Sequence, residues 1–513
     1  MSGLTGRTVF PAPLDPQAVA DRRRQLLQEA DETIARGPFA PTWESLSGYQ
    51  VPQWYTDAKF GIFMHWLAAS VPAYGNEWYP RTMYLDGTPE YRYHRQTYGE
   101  QASAGFKDFL PQFTAANFDA ADLMALIRRT GARYVVPVAE HHDGYHLGQT
   151  DLSRWSATRI GPNRDLLGEL KAAAAAEGLH FGLSSHRAEH WWFFNGGTRF
   201  DSDVNDPQWA DLYGPAEPKN TQPDQAFLDD WLARTVELVE RYDPELVWFD
   251  WWIEEPAFEP YRRKFAAYFY DHAAAAGHGA VINYKWEAFV PGTAVYDIER
   301  GGTRGISPLP FQNDSSTSRV GWAYLTENEY KAADEIVIDM VDAVSKNGVL
   351  LLNIGPRPDG TIDPAERQLL EQIGEWMSIN GEAIYGTRPW LVHGEGPTMA
   401  PAGSFTDTAP LAFTPEDIRF TTRDDTLYGA VLNLPGDATE VRIRSLATTL
   451  RLFDGDVAAV HLLGVGEQLQ FSRDSDGLTV SLPARQSASA VGVLRIDLLP
   501  AGPPQRAEPA IVD

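Results

Sequence analysis

Several apolar runs in this chain end on a residue that is costly to bury. LVWF leads into Asp250, with Trp251 and Trp252 behind it; FGIFM leads into His65; VVPVA leads into Glu140, His141, His142 and Asp143. FGLSS leads into His186, with Glu189 and His190 close behind, and VINY leads into Lys285. A charge or imidazole stripped of water at the end of a buried strand needs a partner or a chemical task. Asp250, a carboxylate between aromatic walls, has the surroundings of a nucleophile or general base. A structural Asp that caps a loop is the plainer alternative. Glu299, in VYDIERGGTRG, reads as a carboxyl on a glycine-rich loop near solvent, where an acid/base group has to be; Glu254, Glu255 and Glu287 compete with it on spacing alone. His141 and His142, with His186 and His190 spaced i, i+4, have the residue types of a zinc site. Neighbouring side chains on a strand end point to opposite sides, however, and the chain has neither HExxH nor Cys. Separate hydrogen-bonding roles, or histidines satisfied by backbone, are expected, with no metal and no other cofactor.

These residues need strands to deliver them. Strands are expected over 60–66, 133–140, 180–186, 245–252, 280–286 and 348–355, and one more ahead of Glu299. Helices are expected between them over 118–131, 163–178, 227–242, 259–277, 333–348 and 364–379, several closed by Gly. Strand–helix alternation of this length implies a parallel sheet with helical crossovers, and its extent suits a (β/α)8-like (TIM) barrel. An open doubly wound sheet is the alternative, but no glycine-rich phosphate loop opens any of the helices. In such a barrel the strand C-terminal ends share one face, which would gather the residues above into one site. A polar helix over 15–36 leads in. Residues 394–410, rich in Gly, Pro, Ser and Thr, read as a linker, and beyond them short strands at regular spacing suggest a β-sandwich. The expected division is a lead-in at 1–57, a barrel at 58–394 and a sandwich at 395–513, with a frayed tail over the last dozen residues.

Composition narrows the function classes. The chain has 513 residues with 43 Lys+Arg against 70 Asp+Glu, a formal charge of −27 that disfavours phosphate backbones and anionic lipid. Nucleic acid and membrane are therefore not expected partners. Cysteine is absent, which removes disulfides and thiolate chemistry. No apolar run reaches the roughly 18 residues of a membrane span, and the N-terminus lacks the basic-then-apolar pattern of a secretory signal. A cytoplasmic location is expected. Sixteen Trp are abundant for such a protein and suit the apolar faces of sugar rings, although Trp also fills cores.

AKFGIFMHW (58–66), SVPAYGNEWYPRTMY (70–84), ARYVVPVAEHHDGYHL (132–147), GPNRDLLGELKAAAAAEGLHFGL (161–183), ELVWFDWW (245–252) and the long stretch from VSKNGVLLLNIGPRPDG to YGTRPW (344–390) together resemble the α-L-fucosidases of glycoside hydrolase family 29. The resemblance implies a (β/α)8-like barrel followed by a β-sandwich. It also implies a retaining exo-glycosidase that removes terminal α-L-fucose from an oligosaccharide or glycoside without a metal. On the family pattern Asp250 is similar to the nucleophile, and Glu299 is the match for the acid/base. His65, Glu77, Trp78, His141 and His142 match residues that hold the fucose hydroxyls and cover the ring. Phe63, Trp78 and Trp248 offer apolar surface to the ring and its methyl group. Two positions depart from the common pattern: Ser184, Ser185 and His186 stand where many members carry a Tyr pair, and Lys285 stands for a common Arg. The pocket around the sugar C6 is what separates fucose from an α-L-galactoside, the alternative substrate. A carbohydrate-binding protein on a dead scaffold would lack one of the two carboxyls.

Overall fold

The computed structural model describes residues 9–407, 410–483 and 489–499. The tail expected at the C-terminus lies outside the described residues. Eight parallel strands close into a barrel in chain order: β1 (Phe60–Met64), β2 (Tyr134–Glu140), β3 (His180–Ser185), β4 (Leu246–Phe249), β5 (Val281–Tyr284), β6 (Val295–Glu299), β7 (Phe311–Ser316) and β8 (Gly348–Ile354), with β8 paired back onto β1. The barrel expectation holds, and the open sheet falls away. Six strands sit where the apolar runs placed them. β6 sits ahead of the glycine-rich loop, but Glu299 is its last residue and not a loop residue.

β7 has no apolar run to announce it. FQNDSS has one apolar residue, yet all six positions are buried. Gln312 is satisfied inside the barrel, where its Nε2 donates to Asp297 Oδ1 at 2.6 Å and its Oε1 accepts from the Tyr55 hydroxyl at 3.0 Å, whereas Ser315, of the alternate set, accepts from Lys331 Nζ at 2.8 Å. Tyr55 comes from the helix Gln53–Ala58 just ahead of β1 and also accepts from Asn283 Nδ2 at 3.1 Å. This polar layer plugs one end of the barrel. Phe63, Val136, Val138, Trp248, Val281, Val295 and Leu351 fill the interior with it.

Helices cover the outside and are cut to length by their caps. Asp119 accepts from the backbone N–H groups of Ala121 and Asp122, and Gly131 ends the same helix, Ala120–Thr130, in the left-handed region at φ 95°. The lead-in helix Pro16–Arg36 packs through Leu26 and Ala30 on the helices Gln225–Tyr242 and Glu259–Ala276.

The rest of the chain forms two antiparallel sheets from β9 (Arg388–Glu395), β10 (Ile418–Arg423), β11 (Thr426–Val431), β12 (Glu440–Ile443), β13 (Asp456–Leu462), β14 (Phe471–Arg473), β15 (Leu478–Ser481) and β16 (Gly492–Leu499). One sheet runs β13-β16-β11-β10-β9 and the other β12-β15-β14. Ile418, Phe420, Leu427, Val441, Leu478, Val480 and Ile496 pack between them as a sandwich core. β9 belongs to the larger sheet, although its residues lie ahead of the division expected at 395. The sandwich is fastened to the barrel by Arg419 Nε to Asp342 Oδ1 at 2.6 Å and by Trp376 Nε1 to the Val491 carbonyl at 3.0 Å.

Candidate active site

At the C-terminal ends of the barrel strands a cavity of about 350 Å³ opens. Every residue singled out above as catalytic or sugar-binding lines it: Phe63 and His65 from β1, Glu77 and Trp78 from the following loop, His141 and His142 after β2, His186 after β3, Trp248 and Asp250 at the end of β4, Lys285 after β5, and Glu299 at the tip of β6. Trp251, Trp286, Asp314, Trp322 and Phe405 complete the wall. Trp251 and Trp286 directly follow recognised residues. Asp314 sits in the unforeseen β7, and Phe405 lies in the stretch read as a linker. Glu254, Glu255 and Glu287 are not among the lining residues.

Asp250 is the most densely contacted group. His186 Nδ1–H donates to Asp250 Oδ2 at 2.8 Å, and the Trp251 backbone N–H donates to Oδ1 at 2.8 Å. His142 Nε2 lies 3.6 Å from Oδ2 and Lys285 Nζ 3.4 Å from Oδ1. Burial works to raise the Asp250 carboxyl, but Lys285, His186 and His142 outweigh it and hold the group well below the usual carboxylate range. Lys285 reaches three carboxyls: Asp250, Glu299 Oε2 at 2.5 Å and Asp314 Oδ2 at 3.7 Å. Burial works to lower the Lys285 ammonium, and these carboxylates outweigh that and keep it charged. The contacts of Lys285 with Asp250 and Glu299, 3.4 and 2.5 Å, together hold those two carboxylate oxygens no more than 5.9 Å apart.

The four imidazoles divide by charge. Burial works to lower His142, but Glu189, whose Oε2 lies 3.0 Å from Nδ1, and Asp250 outweigh it and raise the ring to about 9. Burial lowers His186 to about 4 and carries His65 and His141 well below their usual range. Their tautomers then follow from their partners. His186 gives its Nδ1 proton to Asp250 and accepts at Nε2 from the Ser184 hydroxyl at 3.0 Å. His65 gives its Nδ1 proton to Asn353 Oδ1 at 2.7 Å, which leaves Nε2 as an acceptor. Asn353 at the end of β8 is fully committed, donating to Ser316 Oγ at 3.1 Å and to the Trp322 carbonyl at 2.7 Å. Glu77 Oε2 accepts from the Trp322 backbone N–H at 2.9 Å.

One expectation fails here. β2 ends at Glu140, so strand alternation does not separate His141 from His142; both face the cavity, with ring centroids 4.1 Å apart. Glu140 points elsewhere and pairs with Arg187 and Arg234. His190 is spent on the His142 carbonyl, 2.7 Å from its Nδ1. Among the described residues, the ring nitrogens of His65, His141 and His186 lie within 4.8 Å of one another, as do donor atoms of His142, His186 and Asp250, so either set has the atoms to hold a metal ion. The same array of neutral acceptors and donors beside aromatic faces also fits a ring of hydroxyl groups.

Comparison with known proteins agrees with this arrangement. The profile of the alpha-L-fucosidase family matches residues 26–382, and that of the alpha-L-fucosidase C-terminal domain matches residues 412–497. The tissue alpha-L-fucosidase of Macaca fascicularis is 30% identical over 475 residues, which are 89% of this chain and 91% of that protein. The alpha-L-fucosidase of Dictyostelium discoideum is 32% identical over 69% of this chain and 76% of its own length. Among solved structures, the Thermotoga maritima alpha-fucosidase in complex with fucose superposes with a TM-score of 0.71 at 27% identity, covering 89% of this chain and 100% of that one. With a matching barrel, a matching C-terminal domain and paired carboxyls at the barrel mouth, the chain belongs to the α-L-fucosidases of glycoside hydrolase family 29.

Proposed function

We propose that this enzyme removes terminal α-L-fucose by double displacement, with Asp250 as nucleophile and Glu299 as acid/base. The observation that carries this reading is the Lys285 bridge, one ammonium 3.4 Å from Asp250 Oδ1 and 2.5 Å from Glu299 Oε2, which draws the two carboxyls together on one side of the cavity. Retaining glycosidases hold their carboxyls about 5–5.5 Å apart, and inverting ones need about 6.5–9.5 Å to admit a water molecule.

The chemistry follows from the contacts. Asp250, ionised by its cationic and hydrogen-bonding neighbours, attacks the anomeric carbon. The bond to the leaving oxygen breaks, and Glu299 gives that oxygen its proton. The glycosyl ester on Asp250 is then attacked by water as Glu299 takes the water's proton, and Asp250 leaves as a carboxylate. His65 Nε2 accepts from a sugar hydroxyl, and Trp78, Trp248 and Phe63 supply apolar surface.

The test is release of 4-nitrophenol from the aryl α-L-fucoside, run beside the α-L-galactoside, for wild type, Asp250→Ala and Glu299→Ala. Asp250→Ala should lose about 10⁴-fold or more in kcat, as nucleophile deletions do. Glu299→Ala with added azide should recover rate and yield the α-fucosyl azide, whereas azide with Asp250→Ala should yield the β-azide. Recovery of the same anomer from both variants would overturn the assignment of roles. A wild type that prefers the galactoside would make the α-L-galactoside the substrate.

A further inference from the structure

We propose that the loop between β9 and β10 of the sandwich is part of the active site, and that Phe405 on it forms the platform for the leaving group. The group this platform takes is a sugar ring with an apolar face. The inference rests on Glu299 being the proton donor, as read above.

The path of the segment is the first observation. After β9 the chain leaves the sandwich and crosses to the barrel mouth, where its backbone is laced to the end of β6. The Phe405 N–H donates to the Glu299 carbonyl at 2.8 Å and the Thr406 N–H to the Arg300 carbonyl at 2.8 Å. Gly403 and Gly302 bond reciprocally, the Gly403 N–H at 2.9 Å and the Gly302 N–H at 3.3 Å. A Cβ on Gly301 would lie 1.9 Å from the Gly403 carbonyl oxygen, so the two backbones approach as closely as glycine permits. Asp407 pins the crossing, accepting from Arg300 Nε at 3.0 Å and from the buried Lys331 Nζ at 2.7 Å.

Exposure is the second observation. His65, Glu77, His141, His142, His186, Trp248, Asp250 and Lys285 line the cavity and are all buried, whereas Phe405 and Trp286 line it with 53% and 44% of their surfaces exposed. Both rim residues sit in the left-handed region, at φ 57° and 54°, which side chains other than glycine adopt at a cost. A half-exposed ring held in a strained backbone at a cavity mouth is not core packing. The buried end closes around one sugar. The glycosidic oxygen must face Glu299, so the group on its far side passes over the residue bonded to the Glu299 backbone, which is Phe405. An aromatic face there matches the apolar face of a pyranose.

The test compares wild type, Phe405→Ala and Phe405→Trp on α-L-fucosyl fluoride and on a panel of fucosyl-galactose and fucosyl-N-acetylglucosamine disaccharides. Fluoride leaves without occupying the platform, so the reading is the ratio of kcat/KM on disaccharide to that on fluoride. Phe405→Ala should lower this ratio about tenfold or more for the best disaccharide, and Phe405→Trp should restore it to within about threefold. A ratio within about twofold of wild type for every disaccharide cleaved would overturn the proposal. So would a wild type that hydrolyses the fluoride and none of the disaccharides. A wild type inactive on the fluoride would instead overturn the underlying fucosidase reading, and this is seen before any variant is made.

Discussion

Lys285 is the residue on which the electrostatics of the site turn. Its ammonium lies within 3.7 Å of three carboxyls and over the face of Trp248, 4.7 Å from the ring centroid. Removing that cation takes away a force that holds the Asp250 carboxyl down, so the Asp250 pKa rises. As the proposed nucleophile Asp250 works ionised, and the acid limb of kcat/KM then reports its titration in the free enzyme. Lys285→Met should therefore move the acid limb to higher pH by about one unit or more, and Lys285→Arg should leave it near wild type. The check is a pH profile of α-L-fucosyl fluoride hydrolysis with a melting curve for each variant; an unmoved limb in a folded Lys285→Met protein would remove Lys285 from this role. His186 shows the same logic with less charge. It gives its proton to Asp250, a contact between two strand ends that only the fold could reveal.

Among the elements, the strands that deliver Asp250 and the imidazoles were legible because they are continuous apolar runs. β7 was not, because Gln312 meets a polar layer inside the barrel and Ser315, of the alternate set, bonds to Lys331, so both faces of the strand are polar and its hydrophobic pattern is erased. Asp314 was missed with it. The close fit of that layer can be tested through β1. Gly61 lies beside Tyr134 of β2, and a Cβ on Gly61 would lie 2.3 Å from the Tyr134 ring. The ring is buried among Tyr55 and Trp54, with little room to turn. Gly61→Ala should cost about 1–3 kcal/mol, the usual price of overpacking, and lower the urea midpoint without changing the slope. An unchanged midpoint would show that the layer yields.

At the scale of the whole molecule, the charge of −27 creates a field that neutral substrates ignore and anionic ones do not. Raising salt from about 10 to 150 mM shortens the Debye length from about 30 to 8 Å. A fucoside with a sulfated or carboxylated leaving group should gain about threefold or more in kcat/KM over that range, while a neutral fucoside changes little. Equal salt responses for the two substrates would show that the cations at the barrel mouth cancel the distant field. The two domains also join at this scale. A stretch with the composition of a linker is held at the mouth of the barrel by Asp407, Arg300 and Lys331, and there it supplies Phe405 to the cavity.

The sequence by itself determined the barrel, the sandwich and the family, and it picked out eleven residues that line one cavity. Most of the buried barrel strands are apolar runs, and a polar group ending one stands out against that background. Tertiary structure alone decided the rest. That Lys285 bridges Asp250 and Glu299, that His141 and His142 face the same way, that Asp314 lies 3.7 Å from the same ammonium and that Phe405 arrives from a loop of the sandwich are facts about distances between chain segments. Periodicity carries no trace of such distances, because each depends on where the barrel closes and how the connecting segment is pinned.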